Sequence, residues 1–324
     1  MSSSYLETTK DFYKTAAISP MEGLCCTTTP IWRFPELEIP SQMLEMNYGC
    51  GTTVHPRDLV NSPKVLYVGI GGGLEIFQFS YFCRKPSGVI GVDPVPEMLE
   101  ACQTNLSLAE PSNPWFQRSF IELRQGDALS LPIADESVDV AAQNCLFNIF
   151  RQKELKLALE EMYRVLRPNG RLVLSDPVCE TQIPETLRSD EGLRALCLSG
   201  AIPLREYLEL ITETGFGTVE VRARRPYRVL DPTHYPVDEL IFIESVEVCA
   251  IKDPVPPDGP CIFTGRTAIY YGTNEVFDDG HGHSLMRNQP LSICDKTAGA
   301  LESLGRQDIY ITPSTFFYDG GGCC

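Results

Sequence analysis

The sequence predicts an α/β fold: a parallel sheet, preceded by a cysteine-bearing arm and followed by a small α+β domain. Three observations carry this. Val65 to Val68 is an apolar run too short for a helix and rich in β-branched residues, which reads as a buried strand. Gly69, Gly71, Gly72 and Gly73 follow at once and lead into a helix-like segment, Leu74 to Phe82. A second apolar run, Val89 to Val92, ends in Asp93. Strand, glycine turn, helix and strand make a βαβ unit. Glycines suit the turn because only a backbone without Cβ can bend so tightly and let a ligand approach. A carboxylate roughly twenty residues past the turn is placed to accept hydrogen bonds from ribose hydroxyls. A nucleoside cofactor is the first inference.

The other elements follow in order. Residues 1–60 read as an arm. Tyr5 to Ala17 has helical character, with Tyr5, Phe12 and Tyr13 on or near one face. Two thiol-bearing loops come next, Leu24-Cys25-Cys26-Thr27-Thr28-Thr29-Pro30 and Met46-Asn47-Tyr48-Gly49-Cys50-Gly51. The core spans 61–252. Beyond the opening unit, Phe120 to Arg124 reads as a strand leading to Gly126-Asp127-Ala128. Val138-Asp139-Val140 starts another strand, whose continuation Gln143-Asn144-Cys145 ends at the same sheet edge. A helix through Tyr163 ends in Pro168 and Gly170 and a strand follows. Leu204 to Thr214 reads as a helix, and Thr218 to Ala223 and Leu240 to Ile251 as strands. Pro254, Pro256, Pro257 and Pro260 mark a linker, so residues 253–324 form a C-terminal domain. Within it Cys261 to Gly272 and Asp308 to Tyr318 look like strands.

Composition sets bounds. With 324 residues the chain buries a sizeable core. Hydrophobic content of 43% and charged content of 22% are ordinary for a globular protein. A net charge of -16 argues against nucleic acid or an anionic membrane as partner. Arg222, Arg224 and Arg225 are the one dense basic cluster, read as a solvated face or internal ion pairs. No stretch resembles a signal peptide or a membrane span, so the expected location is the cytoplasm and the default state a monomer.

The turn Gly69-Ile70-Gly71-Gly72-Gly73 departs from the GxGxxG of dinucleotide enzymes. It resembles the GxGxG turn of class I S-adenosylmethionine-dependent methyltransferases, and the order of the later landmarks resembles that superfamily too. The resemblance implies a Rossmann-like fold with S-adenosylmethionine as cofactor, held by Gly69, Gly71, Gly73, Asp93, Asp127, Ala128, Asn144 and Cys145. One departure is Tyr67, where these enzymes usually carry an acidic residue for the methionine amine; Glu75 is the expected substitute.

Thirteen cysteines in a reducing compartment cannot form a disulfide framework, and so many free thiols need a reason. Cys83, Cys102 and Cys249 lie in apolar patterns and read as small buried hydrophobes. Cys145 stands at a strand end, where packing and function would each place it. Cys179, Cys261 and Cys294 carry no telling spacing. Cys25, Cys26, Cys50 and Cys197 stand among Gly, Thr and Ser, and Cys50 between two glycines is expected to have a poorly shielded thiol. Distant thiols converging on one pocket suggest a soft, thiophilic centre. Zinc is the alternative, but no CxxC pair is present.

Over essentially its whole length the sequence resembles the arsenite S-adenosylmethionine methyltransferases, most of all bacterial and cyanobacterial members linked to arsenosugar biosynthesis. The matching landmarks are Cys25 with its threonines, Tyr48-Gly49-Cys50-Gly51, Gly69 to Gly73, Asn144 to Asn148, Tyr163 to Leu166, Ser175-Asp176, Cys197 to Ala201, Cys261 and the terminal Gly-Gly-Gly-Cys-Cys. The resemblance implies methyl transfer to arsenic(III) held by Cys25, Cys26, Cys50 and Cys197, with arsenite or methylarsenite as substrate and glutathione or thioredoxin as thiol reductant, for detoxification or arsenosugar synthesis. Family members usually carry a fourth cysteine just before the final strand, and Asp238 to Ile243 has none. The product is therefore expected to stop at the mono- or dimethyl stage. Cys323 and Cys324 read as an arsenite-collecting pair or a frayed tail. Two rivals stand beside this reading: a methyltransferase of another small molecule, with incidental cysteines, and a non-catalytic arsenic-binding protein.

Overall fold

The computed structural model describes residues 5–19, 21 and 33–314. Cys25, Cys26, Cys323 and Cys324 lie outside them. In chain order the elements are α1 (Tyr5–Ile18), α2 (Ser41–Glu45), β1 (Val65–Val68), α3 (Leu74–Phe82), β2 (Val89–Asp93), α4 (Pro96–Ala109), β3 (Ile121–Gln125) and β4 (Val138–Asn144). There follow α5 (Gln152–Val165), β5 (Leu166–Cys179), α6 (Glu185–Arg188), α7 (Glu191–Ala195), β6 (Ile202–Pro203), α8 (Leu204–Glu213), β7 (Thr218–Leu230) and β8 (Ile241–Ile251). The C-terminal part adds β9 (Cys261–Phe263), β10 (Thr267–Tyr270), β11 (Val276–Asp278), β12 (Ser284–Met286), β13 (Pro290–Ser292), α9 (Asp295–Ser303) and β14 (Ile309–Ile311).

The main sheet runs β3-β2-β1-β4-β5-β8-β7-β9, with β6 paired to β5. The first five of these strands are mutually parallel, whereas β8 is antiparallel to both β5 and β7. Alternation along β1 splits the core into two layers. Leu66 and Val68 face Leu159, Met162 and Ile211 of α5 and α8, whereas Val65 and Tyr67 face Ile76, Phe79 and Met98 of α3 and α4. Every residue of β1 is buried, as expected of a central strand covered on both sides.

Two expectations change. The Pro168–Gly170 stretch does not separate a helix from a strand. Leu166 already pairs with Val138 in β5, and the bend falls inside the strand, with Asn169 at φ 63 and a register shift opposite Val138/Val140. The segment from Cys261 to Gly272 is two strands, not one: β9 adds to the main sheet through Thr218↔Cys261, and β10 lies between β13 and β14 in a second sheet. That second sheet packs with α9 on a separate core of Ala268, Tyr270, Leu285, Ile293, Ala298 and Leu301.

Candidate active site

The glycine turn sits at the carboxyl end of β1, the edge where open α/β sheets bind ligands. Gly69, Gly71 and Gly73 have φ values of 77°, 50° and 89°, which is why glycine is required there. A cleft of about 830 Å³, mouth included, opens at this edge. Gly69, Gly71, Asp93, Asp127, Ala128, Asn144 and Cys145 all border it. Gly73 does not. It caps α3, and a Cβ there would meet Cys102 Sγ at 2.8 Å, so its glycine serves packing on α4.

Asp93, 7% exposed, accepts from the Ile70 N–H at 3.0 Å through Oδ2 and from the Val95 N–H at 2.9 Å through Oδ1. Burial pushes its carboxyl up to about 6, against the pull of those two donors. Asp127 accepts from the Leu129 N–H at 3.0 Å, and Lys10 Nζ lies 3.4 Å from its other oxygen.

Lys10 belongs to α1, a helix whose place in the fold no local pattern reveals. It lies across the mouth of the cleft, with Leu6, Thr9, Lys10 and Tyr13 on the cleft side. Its ties reach both walls: Tyr13 donates to the Ala195 carbonyl (3.1 Å), Lys14 pairs with Glu97 (2.8 Å), and Tyr5 lies under the Arg151 guanidinium. Tyr48 closes the inner end by donating to the Ala16 carbonyl at 3.1 Å.

Glu75 is not placed to take a ligand amine. Its buried carboxylate accepts from Thr52 Oγ1 (3.2 Å), Thr53 N (2.8 Å), Thr53 Oγ1 (3.0 Å), Tyr67 Oη (2.7 Å) and Asn144 Nδ2 (3.2 Å). A carboxylate offers about four lone-pair sites, so these donors fill it. Tyr67 and Glu75 together pin the Cys50 loop to the sheet.

That loop brings Tyr48 to the cleft and holds the first thiol behind Asn144; neither Cys50 nor Cys197 itself borders the cleft. The Cys50 N–H donates to Asn144 Oδ1 at 3.0 Å, and its thiol lies 3.4 Å from Ser175 Oγ. Cys197 donates its S–H to the Cys145 carbonyl at 3.0 Å, and the Cys145 N–H donates to the Ser175 carbonyl at 2.7 Å. Both thiols thus rest on one rung, the strand-end pair Asn144↔Ser175. Cys145 and Cys197 both hold left-handed backbone, φ 59° and 58°, an arrangement that costs a non-glycine residue about 1 kcal/mol or more and concentrates at functional sites.

The expected exposure of Cys50 is wrong. It is 1% exposed, and its flanking glycines serve close approach instead: a side chain at Gly51 would strike Ser175 Oγ and Glu247 Oε1. Cys179, which had no distinguishing spacing, joins the same buried cluster as Cys50, Cys145 and Cys197, and burial pushes its thiol up to about 12. Cys83, Cys102 and Cys249 are buried as expected, each pushed up to about 12. Among the described residues no three His, Cys, Asp or Glu side chains gather as a metal-type ligand set.

Two buried acids lie beneath this rung. Asp176 accepts from Tyr207 Oη and Gln143 Nε2, and burial pushes it up to about 7. Glu247 is buried too, but His55, the Arg225 guanidinium at 2.7 Å and the Thr52 N–H outweigh burial and hold it below the usual range. The Arg222–Arg225 cluster is therefore a set of internal ion pairs, with Arg222 on Asp58 and Arg224 on Glu244.

Residues 66–174 match the family described as "Methyltransferase domain". Curated arsenite methyltransferases match at 31% identity: that of Halobacterium salinarum over 177 residues (55% of this chain, 43% of that one) and that of Aquipseudomonas alcaligenes over 214 residues (64% and 60%). The human arsenite methyltransferase is 31% identical over 175 residues, 52% of this chain and 44% of its own. The chain carries a methyltransferase domain, and it is similar to arsenite methyltransferases. Its matches span about half the length of these curated relatives. For the fold, an arsenic (III) S-adenosylmethionine methyltransferase from Chlamydomonas reinhardtii aligns with a TM-score of 0.59 and 23% identity, over 90% of this chain and 99% of that one.

The segment in which the resemblance leads one to expect a fourth cysteine has a clear place in the fold. Ile241 and Ile243, in the segment where that thiol is expected, belong to the apolar wall of the thiol cluster. Cys249 is farther along β8 in the opposite layer, against Val173 and Val140. It does not stand where that fourth thiol is expected.

Proposed function

We propose that this chain transfers methyl groups from S-adenosylmethionine to trivalent arsenic held by its own thiolates, with Cys50 and Cys197 as arsenic ligands and Cys25 or Cys26 as a third or relay thiol. One observation carries the reading: two buried thiols share the strand-end rung whose Asn144 and Cys145 also border the cleft. The residues fit the cofactor. Asp93 has lone pairs left after its two backbone donors, enough for ribose hydroxyls, and Gly71 leaves its side open, with Met46 O at 3.7 Å nearest to where a Cβ would stand. When bound, that cofactor supplies an electrophilic methyl group.

The chain's own contribution is placement. Soft thiolates prefer a soft, thiophilic centre over oxygen ligands. Held at this rung, arsenic has its lone pair available on the cleft side, and fixed orientation lowers the barrier. The lone pair needs no deprotonation, so no general base is required, and no histidine borders the cleft among the described residues. Tyr13, Tyr48 and the α1 cover exclude water. With Ile241 and Ile243 where a thiol is missing, the product stops at mono- or dimethylarsenic. The reading further includes a monomer in the cytoplasm, organised as 1–60, 61–252 and 253–324 and kept reduced by glutathione or thioredoxin. No helix among the described residues is long and apolar enough to cross a membrane.

The test is product analysis. Protein with arsenite, S-adenosylmethionine and a thiol reductant should yield mono- and dimethylated arsenic, resolved by chromatography with element-specific detection. Cofactor binding with no methylated arsenic would move methylation of another small molecule to first place. In that case Cys50→Ser and Cys197→Ser would leave turnover largely intact.

A further inference from the structure

A second pair of thiols lies far from the cleft. Cys261 opens β9, its N–H donating to the Gly217 carbonyl at 2.8 Å, and Cys294 is the N-cap of α9. The ionisable side chains of Cys261, Cys294 and Lys296 stand close enough to perturb one another. Cys294 is buried and its thiol sits 3.2 Å from Thr297 Oγ1, whereas Cys261 is partly exposed. Lys296 is itself fixed by Asp258 Oδ1 at 2.7 Å and the Gly259 carbonyl at 2.6 Å. Thr264 Oγ1 donates to Asp295 Oδ1 at 2.7 Å and keeps the two elements together.

We propose that Cys261 and Cys294 form a second, dithiol site for a trivalent arsenical, outside the methyl-transfer site. The identity of the ligand rests on the function proposed above; the site itself rests on the paired thiols. The donor set decides between ligands. A structural zinc needs four ligands, and no group of three candidate side chains exists among the described residues. A trivalent arsenical needs only two neighbouring thiols. With arsenite, two S–As bonds form, two As–O bonds break, and the two thiol protons leave with the oxygens as two waters. The third As–OH stays, and nothing is oxidised or reduced. Burial and the neighbouring Cys294 raise the Cys261 thiol, and the Lys296 ammonium pulls the other way.

Position gives the site a use. Cys261 lies where the second sheet joins the main sheet through β7, so a bridge to α9 would fasten the C-terminal domain to the core. The partly exposed sulfur of Cys261 is the entry, and exchange with a free thiol is the exit, because thiolate–arsenic bonds exchange by thiol attack.

The experiment uses the full-length reduced protein and phenylarsine oxide, in the presence of excess monothiol. That probe bridges two thiols with loss of one water. Each half of the pair falls in a tryptic peptide with a single cysteine, residues 253–266 and 288–296. The expected result is these two peptides joined through one phenylarsenic group, a species absent from Cys261→Ser and from Cys294→Ser. Both variants should keep wild-type cofactor affinity and thermal midpoint. A wild-type protein that methylates arsenite but yields no bridged pair overturns this inference and leaves the proposed function standing. A bridged pair in a protein that methylates no arsenic supports the dithiol site and overturns the proposed function instead.

Discussion

Asp93 shows how one buried group ties binding to pH. Its carboxyl is pushed up to about 6 by burial, so at pH 5 most molecules carry it protonated. Only the ionised form accepts two hydroxyl donors while keeping both backbone N–H bonds. Cofactor affinity should therefore rise from pH 5 to pH 7 and level off above. Asp93→Asn should flatten that rise, and Asp93→Ala should weaken binding at least tenfold, because hydrogen bonds to a charged group contribute about 1.5–3 kcal/mol. Titration calorimetry at two pH values checks all three. A flat wild-type profile would remove Asp93 from the ligand contacts. At the thiol rung the expectation differs: Cys197→Ser should abolish methyl transfer with cofactor affinity unchanged, and near-normal turnover would unseat Cys197 as an arsenic ligand. Asp93 was legible in the sequence because a strand and a glycine turn fix its position from local pattern alone. Cys50 was legible as a functional candidate but not in its burial. Flanking glycines signal either exposure or close approach, and only Ser175, Asn144 and Glu247, all remote in sequence, decide between the two.

Among the elements, α1 has the largest effect that the sequence could not place. Its helical character was readable from residues 5–17, and the helix runs Tyr5–Ile18. Its destination was not, because its face is a mixture of tyrosine, threonine and alanine with no strong apolar stripe, and its partners Glu97, Arg151, Glu191 and Ala195 lie in distant segments. The same limit applies to Glu75. Its proximity to the turn suggested a ligand contact, yet five donors, three of them from Thr52 and Thr53, fill its lone pairs. As a cover, α1 should contribute to ligand retention more than to folding. Tyr13→Ala should raise the cofactor dissociation rate severalfold, through loss of the Ala195 anchor and of the ring at the cleft mouth, and should shift the thermal midpoint only slightly. Stopped-flow displacement measures the rate. An unchanged rate would mean the cleft retains its ligand without the helix.

For the whole molecule, the strands of the parallel half were readable one by one from their apolar runs, whereas the joining of β9 to β7 was not, since it depends on a pairing across the proline linker. The consequence of Asp176 at this scale was also hidden. The carboxyl sits at the centre of the sheet, wholly buried, and is pushed up to about 7 by that burial, despite the Tyr207 and Gln143 donors. An unfolded aspartate titrates near 4. Between about pH 4 and 7 the folded chain therefore holds a proton that the unfolded chain has lost, and the unfolded state binds fewer protons. Stability falls as pH rises through that window, by at most about 4 kcal/mol from this group, and is independent of it on either side. Asp93, raised to about 6, acts in the same direction, so wild type alone cannot separate the two. The difference between wild type and Asp176→Asn can. The amide keeps an acceptor for Tyr207 and Gln143 and has no charge to lose, so any offset it introduces is independent of pH. Urea unfolding from pH 5 to pH 8 should show wild type losing stability relative to the variant by a few kcal/mol, the gap closing toward acid. Parallel curves across that range would place the titration of Asp176 elsewhere and remove the buried proton from beneath the thiol rung.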